Sequence, residues 1–95
     1  MERLPYEKIK EKLESLGNWD SVDSKIYKEF NFRDFKEDLD FTNKAGEISE
    51  VGQHHPNIAL EYGYVRIEPT SSDVNGLTNK DFSLARKIKD FYYSK

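Results

Sequence analysis

The chain's only two histidines, His54 and His55, are adjacent and stand in the run Glu50-Val51-Gly52-Gln53-His54-His55-Pro56. An unperturbed imidazole titrates near neutrality, so a pair of them with a carboxylate four residues upstream of the first can supply both an acid and a base. A carboxylate hydrogen-bonded to one ring nitrogen fixes the tautomer, which prepares a histidine for proton transfer. At helical i, i+4 spacing Glu50 is the expected orienting group for His54. Plainer readings stand beside this one. An exposed His-His-Pro run can be a loop with no role, and Glu50 can be a solvated charge on a helix. A metal site is a third reading: Glu50, His54 and His55 are suitable ligand types, but adjacent backbone positions point side chains apart, and two usable ligands do not close a site.

Pro56 disfavours helical geometry at His55, so the pair is expected in a connection between two regular elements, a common location for chemistry. Upstream, Tyr6, Ile9, Leu13 and Leu16 follow Pro5 at spacings of three and four and predict an amphipathic helix ended by Gly17. Trp19 to Phe32 changes to a pattern of two short strands turning near Val22-Asp23-Ser24. A second helix is expected to open at Asn31 or at Arg33-Asp34, to keep Phe32, Phe35, Leu39, Thr42, Ala45 and Ile48 in helical period, and to end near Val51-Gly52. Downstream, Ile58, Leu60 and Tyr62 alternate with Ala59 and Glu61, and Tyr64 to Glu68 alternates again, predicting two antiparallel strands. A Gly63-Tyr64 loop in a type II′ turn fits between them, glycine supplying the positive φ at its first position. After a polar loop from Ser71 to Gly76, Thr78-Asn79-Lys80-Asp81 has the form of a capping box. Leu84, Ala85, Ile88, Phe91 and Tyr92 give the last helix its apolar face, and for Asp81 the residues alone favour capping over catalysis.

Ninety-five residues, 36% hydrophobic and 14% aromatic, suit one domain, residues 1–95, with a modest core. Eighteen acidic against fifteen basic residues give a net charge of −3, and the basic residues are scattered, which disfavours direct nucleic-acid binding. The absence of cysteine excludes disulfides, thiolate catalysis and Cys-based zinc sites. Met1 to Leu16 mixes Glu and Lys through its apolar positions, so it reads as neither a signal peptide nor a membrane span, and a cytoplasmic location is expected by default.

Taken together, Glu50-x-x-x-His54-His55-Pro56, then Tyr62, then Gly76-Leu77-Thr78-x-x-Asp81-x-x-Leu84-Ala85 resemble the pterin-4a-carbinolamine dehydratases. The resemblance runs in order from about Phe35 to the C-terminus, and the Trp19 strand and the helix before it fall where that family has them. It implies a two-layer α+β fold of order α-β-β-α-β-β-α, a four-stranded antiparallel sheet with helices on one face, and a homo-oligomer, dimer or tetramer. It also implies dehydration of a 4a-hydroxytetrahydropterin to a quinonoid dihydropterin, with no metal or organic cofactor. By the resemblance His54 is an acid/base group, His55 helps to bind and position the pterin, Glu50 is the acid that opens the motif, and Asp81, Tyr62 and Ser72 fall on the substrate side of the site. At one position the chain departs from the family: Ser72 stands where a third histidine is usual, four residues before the glycine. A hydroxyl donates or relays a hydrogen bond but does not titrate near neutrality, so it cannot replace an imidazole unaided. The expectation is therefore a dehydratase leaning on His54 with Glu50, or a dehydratase-like binding or dimerisation partner with a weak site.

Overall fold

The computed structural model describes residues 2–23 and 25–94. Helix α1 spans Tyr6–Leu16, strand β1 Asp20–Val22 and β2 Lys25–Asn31, helix α2 Phe35–Gly52, strands β3 Asn57–Glu61 and β4 Tyr64–Glu68, and helix α3 Asn79–Tyr93, with a single 3-10 turn at Ser72–Val74 between β4 and α3. All neighbouring strands are antiparallel, in the order β1-β2-β4-β3. This is the expected α-β-β-α-β-β-α order and two-layer α+β architecture.

Alternation along the strands sets the layers. In β4, Val65 and Ile67 are buried while their neighbours are only half-buried, and across β2 Ile26 and Phe30 are buried in the same layer. Leu16, Phe41, Ala45, Leu84, Ala85 and Ile88 come down on them from the helices, and Leu77 from the loop before α3. Aromatic rings carry the centre of this layer. Phe41 meets Phe30 and Phe32 at centroid distances of 4.9 Å each, and Tyr92 packs edge-on against Phe30 at 4.9 Å. Such pairs add about 0.5–1.5 kcal/mol each beyond the area they remove from water.

Helix α1 ends at Gly17 as expected, with φ +72 and its N–H returning to Leu13. Helix α2 departs from the expected pattern in phase. Phe32 lies beyond β2 and before the helix, Asp34 is the N-cap, and the buried positions are Asp38, Phe41, Ala45 and Ser49. Phe35 and Leu39, expected on the apolar face, are 42% and 43% exposed. The buried side tolerates Asp38 because its carboxylate accepts the Gly63 N–H at 2.8 Å, pinning the β3–β4 turn to the start of α2. That turn is also one residue out of register from expectation. Glu61 pairs with Tyr64, so the loop is Tyr62-Gly63, and Gly63, at φ +94, takes the second central position rather than the first. In the β1–β2 turn Val22 pairs with Lys25 and Asp23 takes φ +57; Ser24 lies outside the described residues.

Candidate active site

Two features deliver His54 to its place. Helix α2 closes in a Schellman-type end: Gln53 takes the left-handed conformation, its N–H reaches the carbonyl of Glu50, and the His54 N–H reaches that of Ser49 at 3.1 Å. The chain leaves the helix turned toward the first turn of α3. There Thr78 caps α3, and Asp81 bonds back to the Thr78 N–H at 2.9 Å, completing the capping box read from the sequence.

The capping carboxylate has a second task. Asp81 is fully buried; its Oδ1 lies 2.6 Å from His54 Nε2, and its Oδ2 accepts the Ser71 hydroxyl at 2.7 Å. A carboxylate only accepts, so Nε2 carries the proton in the neutral ring and Nδ1 is left as the basic nitrogen. Ser71 donates its one proton to Asp81, so at the 3.0 Å contact between the hydroxyls Thr78 is the donor, and Thr78 in turn accepts the Lys80 N–H at 3.3 Å. The chain of donors therefore runs Lys80 N–H, Thr78, Ser71, Asp81, and His54 donates to the same carboxylate from the other side. Each bond polarises the next in this buried setting.

His55 is held differently. Its Nε2 lies 3.4 Å from Glu50 Oε1, and both side chains are more than half exposed. The expected partnership of Glu50 with His54 is thus not formed: Glu50 sits on the solvent side of the last turn of α2, and the left-handed Gln53 swings His54 away from it. The site contains two imidazole–carboxylate couples, one buried and one exposed.

Both histidines line a hollow of about 430 Å³ together with Gln53, Ser71, Ser72 and Lys80. Ser72 is exposed on its rim, where its hydroxyl can meet a bound molecule. Asp81, expected on the substrate side, does not line the hollow: its oxygens are engaged by His54, Ser71 and the Thr78 N–H. Tyr62 is not brought to the site. It is 74% exposed in the β3–β4 turn, separated from the histidines by the five residues of β3, about 17 Å of strand. Sequence reasoning missed Ser71: a serine next to a serine carries no signal until the Ser71–Gly76 bridge closes the loop and turns one hydroxyl inward. A slightly larger hollow, about 470 Å³, lies behind this loop along the N-terminal arm at Arg3 and Tyr6 and contains neither histidine. Among the described residues no group of three or more His, Cys, Asp or Glu could hold a metal ion, and no helix is long and apolar enough to cross a membrane.

The family model for pterin 4 alpha carbinolamine dehydratase matches residues 2–91. The chain belongs to this family. Among pterin carbinolamine dehydratase relatives, a protein of Picosynechococcus sp. provisionally named as such a dehydratase is 42% identical over 83 residues, 87% of this chain and 90% of the relative. One from Sulfurisphaera tokodaii, named in the same way, is 36% identical over 90 residues, 95% of this chain and 97% of the relative. Of solved structures, a transcriptional coactivator/pterin dehydratase from Brucella melitensis superposes with a TM-score of 0.89 at 30% identity, covering 96% of this chain and 99% of that one. A pterin dehydratase-like protein described as a RuBisCO assembly factor in the alpha-carboxysome shares the fold, with a TM-score of 0.65 at 19% identity over 81% of this chain and 89% of that one.

Proposed function

We propose that this pterin carbinolamine dehydratase family member removes water from a 4a-hydroxytetrahydropterin to give the quinonoid dihydropterin, within tetrahydropterin recycling. The observation that carries the reading is the buried His54–Asp81 couple, whose free Nδ1 belongs to a ring lining an open hollow. The reaction breaks the C4a–O bond, and the hydroxyl leaves as water once it has taken a proton. The neighbouring ring nitrogen loses its proton, and the electron pair left behind forms the C4a=N double bond. His54 Nδ1 is the proton-transfer atom. Asp81 fixes its tautomer and faces the positive charge that develops when the ring is protonated, an arrangement that contributes about 10²–10⁴ in rate. His55, steadied by Glu50, binds and positions the pterin, and the Ser72 hydroxyl holds a water or a polar substrate group where relatives of this family usually carry a third imidazole.

The test is the dehydration rate over the spontaneous background. His54→Ala is expected to remove most of the acceleration. No acceleration by the unaltered protein at any pH between roughly 6 and 9, across which an unperturbed imidazole loses its charge, would end the enzyme reading. Ser72→His run alongside measures the departure itself: a large gain shows that the serine weakens catalysis, and equal high rates show that Ser72 suffices.

A second reading is favoured by the same serine. A chain with only two imidazoles can persist as a binding or assembly partner with a weak site, and the Brucella relative's description joins coactivator to dehydratase. Co-purification of a stable non-self partner, unaffected by His54→Ala, would support it. In either reading the protein works in the cytoplasm as a homo-oligomer, dimer or tetramer, which light scattering of the purified chain checks.

A further inference from the structure

On the far side of the first turn of α3 from His54 lies a hollow of about 380 Å³, walled by α1 and α3. Its polar lining is one-sided in chemistry. Lys12 and Arg86 supply cations, Ser15 and Ser83 hydroxyls, and Asn79 an amide, over a floor that includes the nearly buried ring of Phe82. Among the described residues no carboxylate lines it, in a chain whose acids outnumber its bases. Among the described residues neither Lys12 nor Arg86 has a carboxylate partner. The Arg86 guanidinium donates to the Ser15 hydroxyl at 3.3 Å, and Asp90, one turn beyond Arg86, makes no ion pair with it. Glu11, beside Lys12 in sequence, faces Lys8 instead. Lys89 adds a third positive charge close by, its ammonium donating to the Leu16 carbonyl at the end of α1.

We propose that this hollow binds a phosphate group. A planar guanidinium fork, an ammonium, two hydroxyls and an amide NH₂ are the donors that a tetrahedral oxyanion takes up, and an anion there relieves the repulsion between unpaired cations. The volume exceeds what phosphate alone needs and falls in the range of small-molecule sites, with Phe82 and Leu16 offering an apolar shelf to the organic part of a phosphate ester. The site shares its helical turn with Asp81, and Ser83 borders both this hollow and a small one beside His54, but among the described residues none of its side chains hydrogen-bonds to His54 or Asp81, so it stands independently of the dehydratase reading.

The experiment is a titration of the isotopically labelled full chain with inorganic phosphate, and separately with phenyl phosphate, followed by amide NMR shifts at constant ionic strength. Saturable shifts are expected at Ser15, Asn79, Ser83 and Arg86, with affinity falling at least tenfold in the Lys12→Ala/Arg86→Ala variant. Ser15→Glu, which places a carboxylate among the donors at an exposed position, is expected to abolish binding while leaving the rest of the spectrum and the circular dichroism unchanged. Tighter binding of phenyl phosphate identifies an ester as the ligand, and equal binding identifies the free ion. The proposal is overturned if chloride at matched ionic strength moves the same amides equally, if the shifts fall only around His54 and His55, or if none saturates by about 10 mM, well above a millimolar dissociation constant.

Discussion

A single carboxylate, Asp81, caps a helix and orients an imidazole at once, and the two tasks use different oxygens. The consequence is that local stability and site geometry are linked at one residue. Asp81→Asn keeps the shape but replaces one acceptor oxygen with an NH₂ group. If the amide donates toward His54, the imidazole must present Nε2 as acceptor and move its proton to Nδ1, the wrong tautomer for the proposed proton transfer. The dehydration rate is expected to fall by about 10² or more, with a loss of about 1 kcal/mol in stability from the weakened cap, read from activity and from thermal melting on the same sample. The adjacent serines make a sharper contrast. Ser71→Ala removes a buried donor to Asp81 and leaves the Thr78 hydroxyl without its acceptor, costing about 1–3 kcal/mol, whereas Ser72→Ala at the exposed rim changes stability by no more than about 0.5 kcal/mol. Equal urea midpoints for the two variants would contradict the inward placement of Ser71.

Elements decide where those residues meet. Helix α2 is tied at both ends, by the Asp34 cap and the Asp38–Gly63 bond at its start and by the Gln53 turn at its finish, so the direction in which His54 leaves is set by the whole helix. The Tyr62-Gly63 turn depends on a residue free to take φ +94. Gly63→Ala is expected to cost about 1–2 kcal/mol in a denaturant titration while leaving the hollow at His54 intact, because the strain is confined to the other end of β3. A variant as stable as the parent would mean that the turn relaxes at no cost.

At the scale of the molecule, three helices lie on one face of a four-stranded sheet, and a cluster of rings around Phe41 joins the two layers. Phe41 contacts rings from β2, α3 and the segment before α2, so its removal opens a cavity common to every layer. Phe41→Ala is expected to cost about 3–5 kcal/mol, a large share of the 5–15 kcal/mol typical of a domain, and to lower the melting temperature more than any surface change named above. Element types and order were legible in the residues because strand alternation and helical spacing are local periodicities, and Gly17, Pro56 and the Thr78–Asp81 box are local stop and start signals. The phase of α2 was not. Phe35 and Leu39 have the right spacing, yet Asp38 takes the inward position because its partner, the Gly63 N–H, is far away in sequence.

The sequence by itself determined the chemistry present: two imidazoles and no more, side by side, with an aspartate at position 81 and a serine at position 72. These are matters of composition and short-range order, which require no folding to read. Only the tertiary structure decided the pairings. It joined His54 to Asp81 across 27 positions of chain, left Glu50 to His55, turned Ser71 inward and Ser72 outward, and kept Tyr62 at the opposite end of β3. The physical reason is that a hydrogen bond depends on direction as well as distance along the chain. One left-handed residue, Gln53, rotates the exit from α2 enough to exchange a carboxylate four residues away for one on another helix.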